Sequence, residues 1–442
     1  MAESTEVHPW VARTGKVCVW VGVALPAALS LSFILRFAVD VPYWDQWELV
    51  PQLGRMYSGQ LRFADLYLQH NEHRLLIPRI LMLGLARITG WDTRAEMMLG
   101  WLFLVGTGAV LLQEHVHRFG RGVDSLVRFL PVTWTIFSLR QEENLLWGWQ
   151  LQVFFTAFCV VTSMALLSRV DPWPRRTLLA IVLAEVSTFS FGAGLAAWPA
   201  GVVAILSRSP RRWQQLSLWL GMAGLTAVLY FVGYHQPLHH PSPSYALHHL
   251  GPTIHFFLAM LGAFVTPEAG VAAAIGVTLL AVCMILVHLW RVGMLDVAQV
   301  GIGLPLLIFV LIVTATATVG RVGLEAGTDR LTLATSSRYT TLTLLGVFGL
   351  YRISLVVASN RWRPLLLGSL VTLILVGALV QLQTGEVIGS RVRRDRERMR
   401  EALTSWRAQP DAALQVIYLP ELIRERASDL ERLRLSVFRR TR

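Results

Sequence analysis

The stretch from Val41 to Arg79, VPYWDQWELVPQLGRMYSGQLRFADLYLQHNEHRLLIPR, is dense in carboxylates, arginines, histidines and aromatics. Within YWDQWE, Asp45 and Glu48 stand three residues apart, so on a helical turn both carboxylates face the same way. Two acids on one face at a membrane surface can act as a general base and its partner. The turn also reads as an N-cap for the amphipathic helix that follows, with Trp44 and Trp47 as interface anchors. Further on, QHNEHR sets His70, Glu72, His73 and Arg74 just ahead of a short apolar segment. His70 and His73 have a spacing that can coordinate a metal, but no third ligand and no thiolate stands nearby. Phosphate binding by His and Arg is the simpler chemistry, so a divalent metal is not favoured and no other cofactor is implied.

Two later segments carry the rest of the chemistry. LRQEENLLWGWQLQ, Leu139 to Gln152, sets Glu142, Glu143, Asn144 and Gln150 beside Trp147 and Trp149. Amides next to tryptophans grip sugars by bonding the ring hydroxyls and stacking on the apolar face, and Tyr43 and Trp44 can join them. A plain helix start with an aromatic belt is an equal reading. GRVGLEAGTDRLTLATSSRYTT, Gly320 to Thr341, holds Arg321, Arg330 and Arg338, a cradle for a phosphate or diphosphate, although Arg338 beside Tyr339 also fits simple snorkelling. Glu185 is a functional candidate because it lies inside an apolar run, though Ser187, Thr188 and Ser190 offer it hydrogen bonds. The histidines of HQPLHHPSPSYALHH, His235 to His249, alternate with prolines and lack carboxylates, which fits an outer loop near headgroups and not a metal site.

These residues must be positioned by membrane helices. Of the 442 residues, 54% are hydrophobic and 15% charged, with a mean hydropathy of +0.51, whereas soluble domains carry about 25% charged residues. The net charge is +12, and all the basic residues except Lys16 are Arg, clustered between apolar runs, so lipid phosphate and not nucleic acid is the expected anion. The preference for Arg over Lys points to a high-GC bacterium. Cys18, Cys159 and Cys283 all fall in apolar runs, which supports neither a disulfide framework nor a thiolate metal site.

A crossing needs about 20 apolar residues, with about 17 the lower end. The runs 17–39, 95–114, 147–168, 214–233, 270–290, 298–319, 338–358 and 364–382 qualify, and 124–139 is a shorter candidate. The first is read as an uncleaved span because no small-residue cleavage site follows it. The run 177–207 breaks at FSFGAGLAAWP into 177–190 and 194–207. The segments 75–88 and 252–265 are too short and read as interfacial or re-entrant. The expectation is an all-α polytopic membrane protein with about 11 transmembrane helices, within 10–13, and interfacial helices in the first outer loop.

With residues 1–16 cytoplasmic, the arginine-bearing connections Arg118/Arg121, Arg169/Arg175/Arg176, Arg208/Arg211/Arg212, Arg291 and Arg352/Arg361/Arg363 fall inside, as the positive-inside rule requires. The connections 40–94, 140–146, 234–269 and 320–337 fall outside. In this division 17–384 is the transmembrane domain, 40–94 its catalytic outer loop, and 385–442 an Arg-rich amphipathic tail. SRVRRDRERMRE near the membrane exit argues for a cytoplasmic tail, but its arginines alternate with Asp395, Glu397 and Glu401, and an extra crossing would separate 320–337 from 40–94. The tail is placed outside, with Leu403, Leu414, Leu419, Leu422 and Leu430 packing on the outer surface.

One span, an acidic motif, an amphipathic helix with GRMYSGQ and a Pro-containing interfacial segment, HRLLIPRIL, follow in that order. This layout, over about residues 17–210, resembles membrane glycosyltransferases of the GT-C fold, among them oligosaccharyltransferases, protein O-mannosyltransferases and lipid A aminoarabinose transferases. The resemblance implies that Asp45 acts as or positions the catalytic base and that the loop with Arg338 binds phosphate. Glu142 and Glu143 loosely match the family's second acidic motif. The chain departs from the family in lacking a clear Asp-x-Asp there and a large soluble C-terminal domain, which sets metal dependence of the oligosaccharyltransferase kind in doubt.

The expected activity is inverting hexosyl or pentosyl transfer from a polyprenyl-phosphate or diphosphate donor to a glycan, lipid or protein hydroxyl, in cell-envelope polysaccharide synthesis at the bacterial inner membrane. Asp45, with Glu48, supplies the base. Arg338, with Arg74, Arg321, Arg330, His70 and His73, holds the phosphate. Two other readings stand beside it: an O-antigen-type polymerase or ligase, which uses outer Arg and His without an early Asp, and a lipid or oligosaccharide transporter centred on Glu185 and the broken 177–207 segment.

Overall fold

The computed structural model describes residues 9–169, 174–208, 212–237, 241–326 and 331–439. Arg330, Arg211, His239 and His240 lie outside these residues, as do the first eight positions. Six helices among them are long and apolar enough to cross a membrane: Gly15–Phe37, Thr93–Phe119, Gly148–Leu167, Ala269–Arg291, Gly303–Glu325 and Trp362–Thr404. Hydrocarbon offers no partner for backbone N–H and C=O groups, so apolar runs of this length satisfy them internally as helices. The protein is a helical, polytopic membrane protein.

The other expected crossings are helices too, but shorter or less apolar: Val123–Ile136, Arg175–Thr188, Ala197–Arg208, Arg212–Phe231 and Thr340–Ser354. At about 1.5 Å per residue, a 14-residue helix such as Val123–Ile136 covers only about 21 Å of a hydrocarbon core of about 30 Å. Tight 3-10 turns at Leu139–Gln141, Gly192–Ala196 and Ser337–Tyr339 extend three of these helices at one end. Irregular backbone at such depth is tolerated only where protein or a polar cavity covers it. All three turns lie against the cavity described below or against its arginine-bearing wall.

The fold departs from an all-α reading at one place, a hairpin in the first loop pairing Gln69–His70 with His73–Arg74. Around it lie the 3-10 turn Trp44–Leu49 and the helices Val50–Tyr57, Phe63–Tyr67 and Leu76–Thr89. The last is the expected short segment, and Leu250–Gly262 is its counterpart later in the chain.

Three apolar cores run through the described residues, and two of them bear most on the site. The larger lies among the membrane helices, where Thr340–Ser354 is buried along its whole length. Gly346 and Gly349 let that helix press against Val310 and the Gly303 backbone, the small-residue contact by which helices pack in lipid. The second core joins the first loop to the tail: Trp47, Leu49, Val50 and Leu53 are buried with Leu403, Leu414, Ile423 and Leu430. The two segments therefore share one face of the membrane.

The tail differs from expectation in two respects. No break occurs at residue 385, because Trp362–Thr404 is one helix of 43 residues whose polar half is carried by helix formers and pairs such as Arg393–Glu397. Leu419 is 55% exposed, and Ile417 and Ile423 are buried where it was expected to pack. Pro420 begins the helix Pro420–Leu433, so the helical repeat brings Ile423, Ala427 and Leu430 to the buried face.

Candidate active site

A cavity of about 840 Å³ opens between the first loop, the Gly192–Ala196 turn and the helices Gly303–Arg321 and Thr340–Ser354. The hairpin supplies its charged floor: Asn71, in the left-handed region at φ 49°, makes the reversal and brings His70, Glu72 and His73 to the cavity. Asp45 meets them from the 3-10 turn Trp44–Leu49, its Oδ2 3.4 Å from His70 Nε2. Trp44, which precedes it, has φ 46°, a costly conformation for a bulky residue and one that the surrounding packing must enforce. Trp44 is half exposed and lines the cavity with Trp147 and Trp149. Tyr43, Trp44 and Trp147 pack edge to face or tilted, and Trp149 meets the His70 ring with centroids 5.1 Å apart. Such exposed ring faces suit the apolar face of a sugar.

Arg321 forms a close ion pair with Glu72 and donates from Nε to the Tyr339 hydroxyl at 3.2 Å. Burial acts to raise the Glu72 carboxyl, but the neighbouring His73 and Arg321 outweigh it and hold the group at about 2. His73 moves the other way. Burial outweighs the attraction of Glu72 and keeps the imidazole neutral down to about 4. Its Nδ1 accepts the Gly192 N–H at 3.2 Å, so the proton sits on Nε2, which lies 3.5 Å from Glu72 Oε1. A side chain at Gly192 would collide with the His73 ring.

Arg338 also lines the cavity. Glu143 Oε1 lies 3.6 Å from its Nη1, and its buried Nε has no hydrogen-bond partner. The part of the Arg338 side chain that does line the cavity is of the type that pairs with oxyanions. Beyond these charged groups the lining turns apolar, with Leu195, Met260, Ile312, Val313, Leu324 and Leu342.

The structure divides the sequence-predicted site residues sharply. Asp45, His70, His73, Trp44, Trp147, Gln150, Arg321 and Arg338 all line the cavity. Glu48 does not: it accepts hydrogen bonds from Tyr418 and Arg426 of the tail. These partners overcome the effect of burial and depress its carboxyl. Arg74 is buried and donates to the carbonyls of Tyr67, Tyr230 and Val232, so it knits the loop to the helix Arg212–Phe231 and is not turned to a phosphate. Tyr43, Glu142, Glu143 and Asn144 stand behind the lining. Tyr43 lies under Arg396, and Glu142 pairs with Arg140. Glu143 accepts from Ser336 and Ser337, while Asn144 donates to the Arg338 carbonyl at 2.9 Å and Thr341 Oγ1 at 2.7 Å. None of these four side chains lines the cavity.

Several cavity residues carried only a weak signal in the sequence. Glu72 stood out only as part of QHNEHR, and Gly192 only as a helix breaker. Buried beneath the turn, Glu96 accepts from Gln46 at 2.6 Å and from Trp91 Nε1 at 3.0 Å, and nothing local marked it. Glu185 is bonded to Thr226 away from the cavity lining. Among the described residues no three His, Cys, Asp or Glu side chains gather as metal ligands. No family model, curated protein or solved structure matches the chain.

Proposed function

We propose that this protein is a GT-C-like membrane glycosyltransferase that moves a sugar from a polyprenyl-phosphate or diphosphate donor to an acceptor hydroxyl. It works at the outer face of a bacterial inner membrane, with eleven crossings and the loop 40–94, the 320–337 connection and the tail outside. The observation that carries this reading is that Asp45 and Arg338 line one cavity together with the tryptophans beside Asp45 and a set of apolar side chains. Base, sugar platform, phosphate donor group and lipid groove are the parts such a reaction needs.

In the proposed step the Asp45 carboxylate takes the proton of the acceptor hydroxyl, and the oxygen forms a bond to the anomeric carbon. The bond from that carbon to the phosphate oxygen breaks, its electron pair leaves with the phosphate, and the configuration inverts. Arg338 stabilises the departing anion through its guanidinium charge at the cavity, and Arg321 adds positive charge tempered by Glu72. A phosphate leaving group needs little protonation, which suits guanidiniums better than a general acid.

The test is transfer in vitro from a panel of polyprenyl-phosphate and diphosphate sugars by purified full-length protein, with donor binding measured alongside. Activity with at least one donor, lost in Asp45→Asn while donor still binds, is the expected result. An Asp45→Asn protein that turns over at the wild-type rate would falsify the role of Asp45. Sidedness is checked by cysteine labelling in a background without the native cysteines: probes at Gln46, Asn144 and Ser336 should react from outside. Opposite sidedness at positions 46 and 336 would remove the common site.

A further inference from the structure

Asp45 lies in a turn whose other polar side chains, Gln46 and Glu48, are both engaged. Gln46 Nε2 donates to the buried Glu96, and Gln46 Oε1 accepts the Tyr43 N–H at 3.2 Å. Trp47 is fully buried. Glu48 is gripped from the tail by both arms of the Arg426 guanidinium, at 2.9 and 3.4 Å, and by the Tyr418 hydroxyl at 2.6 Å. A 3-10 turn has three residues per turn, so residues 45 and 48 lie on one edge and a rotation of either moves both. The tail holds the other end of the segment as well. Arg439 forms a close ion pair with Asp40, donates to the Thr89 carbonyl at 2.8 Å and lies 3.4 Å from Asp92 Oδ2. Ser436 N–H meets the Gly90 carbonyl at 2.9 Å, and a side chain at Gly90 would strike Arg439.

The two acids that bracket Asp45 thus each end on a tail arginine. We infer that the C-terminal segment is a two-point clasp in which Arg426 on Glu48 and Arg439 on Asp40 are positioning residues, setting Asp45 against His70 at the cavity. The inference rests on the glycosyltransferase reading for its kinetic consequence and on the contacts alone for the docking. Fork-to-carboxylate pairs suit this task because two parallel hydrogen bonds fix orientation as well as distance. A base displaced by about 1 Å costs on the order of 100-fold in rate. The clasp also explains why Glu48, beside a reactive acid, takes no place in the cavity itself.

The experiment uses full-length protein in detergent and compares Arg426→Met, Arg439→Met, Glu48→Gln and the exchanged pair Glu48→Arg with Arg426→Glu. Hydrogen–deuterium exchange over residues 40–53 and 411–439 reads the docking, and initial rates with a working donor give kcat and KM separately. Each arginine variant should speed exchange in both segments and lower kcat about 10- to 100-fold, with KM for donor changed less than about twofold. Glu48→Gln, which keeps its size and half its hydrogen bonding, should fall between, and the exchanged pair should recover part of kcat over Arg426→Met. Faster exchange with kcat unchanged would show that the tail docks without positioning Asp45, and unchanged exchange would remove the clasp altogether. A wild-type protein inactive on every donor would instead remove the glycosyltransferase reading, and the clasp would then stand or fall on exchange alone.

Discussion

Two acid pairs stand beside tryptophans that line the cavity, Asp45/Glu48 in the first loop and Glu142/Glu143 in the second connection, and they do different things. In the first, one acid reaches the cavity and the other anchors the turn to the tail. In the second, neither lines the cavity: Glu142 pairs with Arg140, and Glu143 braces the turn that bears Arg338. Burial raises the Glu142 carboxyl against the pull of Arg140, as befits a group closed off from solvent. Similar composition beside tryptophans therefore yields a cavity-lining edge in one place and scaffolding in the other. The difference comes from the elements: a hairpin and an open 3-10 turn project side chains, whereas a turn enclosed between helices must satisfy its polar atoms locally.

The contrast is sharpest in kinetics. Asp45→Asn should lower kcat by on the order of 100- to 10,000-fold, the span of general-base catalysis, with folding intact because Asp45 caps neither its own turn nor the helix after it and Asn keeps its size. Far-ultraviolet circular dichroism and single-turnover rates check both halves. Glu143→Gln should cost far less, about tenfold or below, and act on donor KM, because it loosens Arg338 without touching the reacting atoms. If Glu143→Gln proved the more damaging of the two, the roles assigned to the pairs would be reversed.

Arg338→Lys comes next. It keeps the charge but loses the planar fork and the Nε donor, so donor affinity should fall about tenfold while kcat changes less. Equilibrium binding of a non-transferable donor analogue measures it. Arg74→Lys offers the counterpart: its three carbonyl partners make it structural, so a lower thermal midpoint with little change in donor affinity is the expected result.

The smallest expected effect is on acid stability. His73 is neutral in the folded protein down to about 4, against about 6.5 when exposed. Its folded value is depressed, so its contribution is fully present above about 6.5 and declines as pH falls towards 4. Glu72, held at about 2, contributes fully above the ordinary carboxylate range and loses that contribution as pH falls towards 2. Thermal midpoints measured from pH 7 to 3 should therefore decline in two stages. His73→Gln, which can still accept the Gly192 N–H, should flatten the upper stage and leave the lower one.

Much of this architecture was legible before any coordinates. The short segment read at 75–88 is the helix Leu76–Thr89, and the break read in 177–207 falls between Arg175–Thr188 and Ala197–Arg208. Such boundaries follow from local hydropathy and from Gly and Pro, so neighbouring residues suffice to find them. The residue types of the cavity were legible too, since Asp45, the histidines, the tryptophans and Arg338 are unusual so close to apolar runs.

What only the tertiary structure decided is which of these groups are left available and which are engaged. Arg74 and Arg338 look alike in sequence, yet one meets three backbone carbonyls and the other lines the cavity. Glu48 and Asp45 stand side by side, yet Glu48 belongs to Arg426, which arrives from the far end of the chain. Helix formation depends on contacts within a few residues, whereas hydrogen-bond partnership depends on which distant segments the packing brings together. Composition therefore determined a helical membrane protein with a polar, aromatic first loop, and only the tertiary structure showed Glu48 held by the tail while Asp45 lines the cavity.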